Sequence, residues 1–407
     1  MLPHIQPEYR MNGLIVAHND NRLIRENYLA FGTPDFTEAE IEAVARIMRS
    51  GWVGMGAETL AFETELAQYV GAPEVVTVNS CTSALFLAAV AENIGPGDEI
   101  IVPSLTWCAT ANAALYLGAT PVFCDIDQET LCVTPESICE RLTERTKAVI
   151  VVHYGGHAID VEGLRAVLPE QVVIIEDAAH AIGAKYPDGR PVGSSGNSVC
   201  FSFYANKNLS TADGGAIALF DPEKAERLRC LRASGMNSSA WSRYIHPSSA
   251  FAATVSELGY KANFTDLQAA IGRVQLRRLG EMAAVRQGIA LRYRERLCAP
   301  ELNIPFQYGS FSESHARHLL VGFFDPEVMG MKRNDLLVSL RDRNIGASIH
   351  YQPLHTMPFY SVFAPVGLPV TDAISERIMT LPISSRMSLD DVDYVVDSIA
   401  QVAGINE

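Results

Sequence analysis

The sequence predicts an α/β protein with a mostly parallel mixed sheet between helices in a large domain, and a smaller α/β domain toward the C-terminus. Three observations predict it. Short Val- and Ile-rich runs, each closed by glycine or polar residues, alternate with helical patterns from residue 74 to about residue 205. The runs are apolar nearly throughout, as strands covered on both faces are, and lack the alternation of a half-solvated sheet. From about residue 221 longer helices take over, and 407 residues exceed what one hydrophobic core usually supports.

Residues 1–30 are expected to be an N-terminal extension, 31–260 the large domain, and 261–407 a linking helix with the small domain. In FTEAEIEAVARIMRSG, Ile41, Val44, Ala45 and Met48 recur at helical intervals and the pattern ends on Gly51. After the turn GWVGMGAET come strand EVVTVNS (74–80), helix SALFLAAVAENIG, strand EIIVPS (99–104), helix ATANAALYLG and strand TPVFCDID (120–127). Further strands are expected at 147–156, 172–181 and 198–205, with AIALF re-entering the sheet after Gly214 and Gly215. The long helix around NFTDLQAAIGRVQLRRLGEMAAVRQGIALRYRERL leads to strands at 318–324 and 347–352, separated by helix KRNDLLVSLRDRN.

A net charge of −15 and the absence of any Lys/Arg run argue against nucleic acid as a partner. The eight cysteines include no C-x-x-C pair and several lie in apolar runs, which fits reduced thiols in a cytoplasm rather than disulfides or structural zinc; no metal site is expected. The N-terminus lacks the basic start and apolar block of a signal peptide, and no apolar run reaches the roughly 20 residues of a membrane helix. A soluble cytoplasmic protein is expected, with no membrane partner.

Parallel sheets bind ligands beyond the carboxyl ends of their strands. The residues at those ends are Ser80, Cys81, Thr82 and Ser83, Thr106 and Trp107, Asp177 and His180, and Ser202 with Lys207. Asp177 follows VVIIE directly, where a carboxylate is costly unless a cation meets it. It can cap the next helix, or it can face a protonated pyridine nitrogen. Lys207 can extend to solvent, or form a Schiff base with a cofactor anchored by that acid. Hydroxylated residues opening a helix in NSCTSALFLAA can be a plain N-cap or a phosphate cradle, and Trp107 can fill core or stack on a ring.

EDAAHAIGAKY, FSFYANKNLSTADGGAIAL, PSLTWCATANAALYLGATPVFCDID, SGWVGMGAETLAFE and GYKANFTDLQAAIGRVQL together resemble the DegT-type sugar-nucleotide aminotransferases, in matching order from about residue 28 to 403. These are pyridoxal-phosphate enzymes of the aspartate-aminotransferase fold, fold type I. The resemblance implies that Lys207 carries pyridoxal 5'-phosphate as an internal aldimine and shuttles the proton, that Asp177 keeps the pyridine nitrogen protonated, and that His180 lies against the ring. It further implies Trp107 as the stacking aromatic and Thr82, Ser83 and Ser202 as phosphate ligands, with Asn263 reaching the phosphate from the neighbouring subunit of a homodimer. SIHYQPLH resembles a segment near the sugar-nucleotide entrance, so His350 and Tyr351 are expected to touch substrate.

The implied reaction moves an amino group from L-glutamate to a keto-sugar nucleotide, in surface-polysaccharide or amino-sugar antibiotic biosynthesis. The chain departs from the family at Asn206, where Thr is frequent, at Tyr204, where His is, and at Ala57, where proline is usual. A lysine at 207 argues against the sub-branch that carries histidine there and dehydrates the sugar. A nicotinamide dehydrogenase would open its first strand into G-x-G-x-x-G, where this chain reads NSCTSA. A cyclitol or free keto-sugar as acceptor, or a non-catalytic binding protein on the same fold, are the remaining readings.

Overall fold

In the computed structural model the described residues are 25–245, 253–300, 302–364 and 367–405. A seven-stranded sheet is made of β1 (Glu74–Val78), β2 (Glu99–Pro103), β3 (Thr120–Cys124), β4 (Thr146–Val152), β5 (Val173–Asp177), β6 (Ser198–Ser202) and β7 (Gly215–Leu219), in the order β1-β7-β6-β5-β4-β2-β3. β3, β2, β4, β5 and β6 pair in parallel, while β7 runs antiparallel to both β6 and β1. The sheet is therefore mixed and mostly parallel, as the sequence predicts.

Both faces are covered, which explains the unbroken apolar runs. Ile100, Val102, Ala148, Ile150 and Ile175 pack on one face with Leu85, Leu87 and Ala88 of the helix Cys81–Ala91. Ile101, Val149, Val151 and Ile174 pack on the other with Phe62 and Leu66 of the helix Ala57–Val70. Neighbours in sequence thus serve opposite cores, as the two-residue period of a strand requires. Each fully buried aliphatic side chain contributes roughly 1.5–3 kcal/mol.

A 32-residue helix, Asp266–Leu297, links this sheet to a third core. That core joins Ile289, Tyr293 and Leu297 to the antiparallel pair β8 (Leu320–Phe323) and β9 (Ile378–Leu381), and to the helices Arg333–Arg341 and Leu389–Val402. The strand expected at 347–352 is not formed. Only Ser348 bridges, to Thr380, and β9 pairs with β8 instead. The IMTL run of β9 is uniformly buried, whereas His350 and Tyr351 engage other side chains. Of the expected N-terminal extension, residues 1–24 lie outside the described residues; Leu29 is buried and bridges Ile345. No helix among the described residues is long and apolar enough to cross a membrane.

The linking helix is tied back to the sheet's helical layer by its first residue. Asp266 accepts hydrogen bonds from Gly56 N (2.7 Å), Thr59 N (3.0 Å) and Thr59 Oγ1 (2.7 Å). It thereby supplies the acceptor for the start of the helix Ala57–Val70, whose own N-cap, Gly56, has no side chain to offer. Asp266→Ala would leave these buried donors unmatched and is expected to cost about 1–3 kcal/mol. The denaturant midpoint should fall accordingly, with Asp266→Asn recovering part of the loss; an unchanged midpoint for the alanine variant would contradict this.

Candidate active site

Asp177 ends β5 and is buried. Its Oδ2 accepts from Thr110 Oγ1 at 2.8 Å and its Oδ1 from Ala179 N at 3.1 Å, with Cys81 Sγ 4.0 Å away. Burial pushes its carboxyl above the ordinary range, against these hydrogen bonds and the nearby Lys207 charge. Asp177 and Ile175 point to the face that also receives the helix Cys81–Ala91, so carboxylate and helix start converge. Gly215 permits this approach: a Cβ there would lie 2.6 Å from Ser80 C and 2.7 Å from Cys81 N.

At that helix start Ser80 Oγ accepts from Ser83 N at 3.1 Å, and Ser83 Oγ donates to Asn79 Oδ1 at 2.7 Å. The N–H groups of Cys81 and Thr82 have no acceptor among the described residues. Ser202, the last residue of β6, is buried and lies opposite Gly215 in the ladder. The strand end, the helix start and these open N–H groups form a concavity suited to an anion.

Lys207 follows β6 by a tight turn in which its N–H donates to Tyr204 O at 2.9 Å. Loss of water around the amine lowers its pKa to about 8, although Cys81 and Asp177 act in the opposite direction. Its Nζ lies 3.3 Å from Nε2 of buried His318. No carboxylate among the described residues accepts a hydrogen bond from Lys207, so the amine is not pinned as a cation.

His180 Nδ1 accepts from Gly155 N at 3.3 Å, which leaves the proton on Nε2 to be donated to Tyr351 Oη at 3.0 Å. Burial, and then the Lys207 charge, hold His180 well below the usual histidine range. His350 is lowered to about 3 by the same two causes and pairs through Nδ1 with Thr380 Oγ1 at 2.9 Å. Trp107 is 59% exposed, its ring 5.9 Å from that of Tyr351. Lys207, Asp177, His180, Tyr351, Trp107 and the Ser80–Ser83 turn are thus gathered at one end of the sheet.

Asn263 lies elsewhere on this chain. Its Nδ2 donates to Phe264 O at 3.2 Å, and it lines a cleft with Trp52, Arg243 and Lys261. Two groups at the site escaped the sequence reading, His318 beside Lys207 and Thr110 on Asp177, whereas Cys81, 4.0 Å from Asp177, is among the strand-end residues it gathered. Thr110 follows Trp107 by one helical turn and was legible in principle. His318 precedes β8, from another part of the chain, and nothing in HARHL marks it.

Comparison with known proteins gives the same assignment throughout. A relative from Bacillus subtilis (strain 168), the spore coat polysaccharide biosynthesis protein SpsC, is 40% identical over 384 residues, covering 93% of this chain and 98% of its own. The PMP form of Spr1654 from Streptococcus pneumoniae superposes with a TM-score of 0.84 at 30% identity, covering 92% of this chain and 98% of that one; its PLP form gives 0.83. DesI, solved in the presence of its TDP-sugar product, gives 0.83 at 28% identity, covering 93% and 94%. Residues 34–400 match the DegT/DnrJ/EryC1/StrS aminotransferase family, and the chain belongs to that family.

Proposed function

We propose that this aminotransferase moves an amino group from L-glutamate to a 4-keto or 3-keto deoxysugar carried on a nucleoside diphosphate, with pyridoxal 5'-phosphate attached to Lys207. The observation that carries the reading is a buried amine without a carboxylate partner, beside a buried carboxylate and an open helix start, at one mouth of the sheet. These residues fit the cofactor: Lys207 for the aldehyde, Asp177 for the ring nitrogen, and Thr82, Ser83 and Ser202 for the phosphate. The TDP-sugar product present with DesI supports a nucleotide-borne sugar, and the name of SpsC supports a role in polysaccharide synthesis.

When bound, the cofactor supplies an aldehyde for the transferred nitrogen and a ring that draws electrons from the adjacent carbon. Asp177 holds the proton on the ring nitrogen, and a cation facing this carboxylate offsets the burial that now disfavours its charge. Lys207 Nζ takes the α-proton of glutamate, and in the return half gives one to the sugar carbon that receives nitrogen. His318 Nε2 holds that amine in place without fixing its charge. His180, its tautomer set by Gly155, would lie along the ring and Trp107 would cover a face, while His350 and Tyr351 would meet the sugar. Asn263 would reach the phosphate bound to a second copy of the chain, making the working unit a cytoplasmic homodimer.

Adding L-glutamate to the PLP-loaded protein is expected to convert the cofactor to its pyridoxamine form, seen as a shift in absorption, and Lys207→Ala should abolish the conversion. A spectrum indifferent to glutamate would remove the donor, and turnover by the alanine variant would remove Lys207 from its role. Acceptors separate the substrate readings: a nucleotide-borne keto-sugar should be aminated far faster than the free sugar or a cyclitol. Asp177→Asn should lower kcat by about 100-fold or more while cofactor is still taken up.

Capture of an aldehyde requires the neutral amine. Because the Lys207 pKa is lowered to about 8 from an ordinary 10.5, the neutral form predominates above about pH 8. The rate of PLP uptake by the apoprotein should therefore rise with pH and level off above about 8; a plateau reached only near 10.5 would mean that burial does not tune this amine.

A further inference from the structure

The segment that carries His350 and Tyr351 is pinned at both ends. Toward the small domain, Ser348 N donates to Thr380 O at 3.0 Å and His350 Nδ1 pairs with Thr380 Oγ1. Toward the large sheet, Leu354 N donates to Ser104 O at 2.9 Å and His355 N to Ser104 Oγ at 3.2 Å. Ser104 follows β2 directly and is fully buried, and Leu354 fills the same core as Ile100 and Val102 of that strand. Tyr351 lies between the two anchors, where its hydroxyl meets His180 and its ring faces Trp107.

A side-chain circuit closes the anchor at Ser104. His355 Nδ1 lies 2.6 Å from Ser104 Oγ, and His355 Nε2 lies 2.9 Å from Asp372 Oδ1. A carboxylate only accepts, so Asp372 fixes a proton on Nε2 and leaves Nδ1 to accept from the Ser104 hydroxyl. That hydroxyl accepts in turn from His355 N, so both ring nitrogens and the serine oxygen are matched. Asp372 is itself held in place. Its helix, Pro369–Ser375, starts on Asp125, whose carboxylate accepts from Val370 N at 3.0 Å and from Thr371 N at 2.8 Å. Asp125 follows β3, so the circuit runs from the end of one parallel strand to the end of its neighbour.

Serine, histidine and aspartate linked in this order suggest a hydrolytic triad. Ser104 is 0% exposed, however, and no scissile bond can reach its oxygen. What the circuit controls is position. Thr106 N donates back to Ser104 O at 3.1 Å, and Trp107 follows. Ser104 is therefore the common root of two segments, one bearing Trp107 and the other Tyr351, whose rings lie 5.9 Å apart.

We propose that His355 is a positioning residue for the acceptor half of the reaction: through Ser104 and Asp372 it fixes the gap between Tyr351 and Trp107 in which the sugar is received. This rests on the reading above in which Tyr351 meets the sugar. Neither Lys207 nor Asp177 hydrogen-bonds to the circuit among the described residues, so the donor half should be spared.

The test uses the PLP-loaded protein and Asp372→Ala, a change at a side chain 53% exposed that folding should tolerate. Conversion of the cofactor by L-glutamate should stay within about twofold of the unaltered protein, while kcat/KM for a TDP-linked 4-keto or 3-keto deoxysugar should fall about tenfold or more. Asp372→Asn keeps an oxygen for the Nε2–H and should recover most of the loss, and Ser104→Ala should reproduce it. Exchange of the Leu354 and His355 amide protons should quicken in Asp372→Ala. Equal losses in both halves, no loss in the acceptor half, no recovery with asparagine, or unchanged amide exchange would each overturn the proposal. Failure of the unaltered protein to aminate either keto-sugar would instead remove the acceptor reading itself, and this proposal with it.

Discussion

Holding the Lys207 amine and the Asp177 carboxylate out of water costs several kcal/mol per ion before any interaction offsets it. The rest of the site follows from that constraint. Each group ends or follows a central strand, where a parallel sheet delivers side chains to one edge without further chain. Burial disfavours the carboxylate's charge, and two hydrogen bonds and a distant cation, not a tight ion pair, act against that burial. The amine is left with a neutral imidazole. A direct Asp177–Lys207 bridge would have stabilised the apoprotein and locked the amine as an ammonium, which cannot attack an aldehyde.

The carboxylate next in sequence has the opposite task. Glu176 points to the other face of β5 and is fully buried, accepting from His153 Nε2 at 2.8 Å, Tyr186 Oη at 2.6 Å, Ser195 Oγ at 2.5 Å and Asn197 Nδ2 at 2.8 Å. With four donors its pKa falls below the usual value despite burial, whereas that of Asp177 rises. Two adjacent acids on one strand are therefore separated in charge preference by hydrogen-bond count. The saturated one is structural and the undersaturated one has capacity left for a ligand.

Much of this was legible because the relevant signals were local. Lys207 and Asp177 stand at strand ends that the apolar runs mark, and Ser80–Ser83 opens a helix that its own composition announces. The rest depends on packing between distant segments. His318 meets Lys207 across 111 residues of sequence. The misplaced strand at 347–352 has the same origin. Its alternation is strand-like, but only Ser348 bridges the outer edge of β9, at Thr380, while His350 and Tyr351 turn to side-chain partners.

The groups that the C-terminal segments contribute around Lys207 are histidines. His318 and His350 are both pushed far below neutral titration by burial, and the amine's own charge opposes their protonation further. A glutamate in place of either would pair with the amine and raise its pKa, and an arginine would depress it while occupying the substrate's space. A neutral imidazole does neither: it accepts one hydrogen bond and leaves the amine's charge to be set by burial and by Asp177. The choice of histidine thus separates positioning from charge, so that Lys207 can be held by one segment while the opposite face of the sheet mouth decides when it gives up its proton.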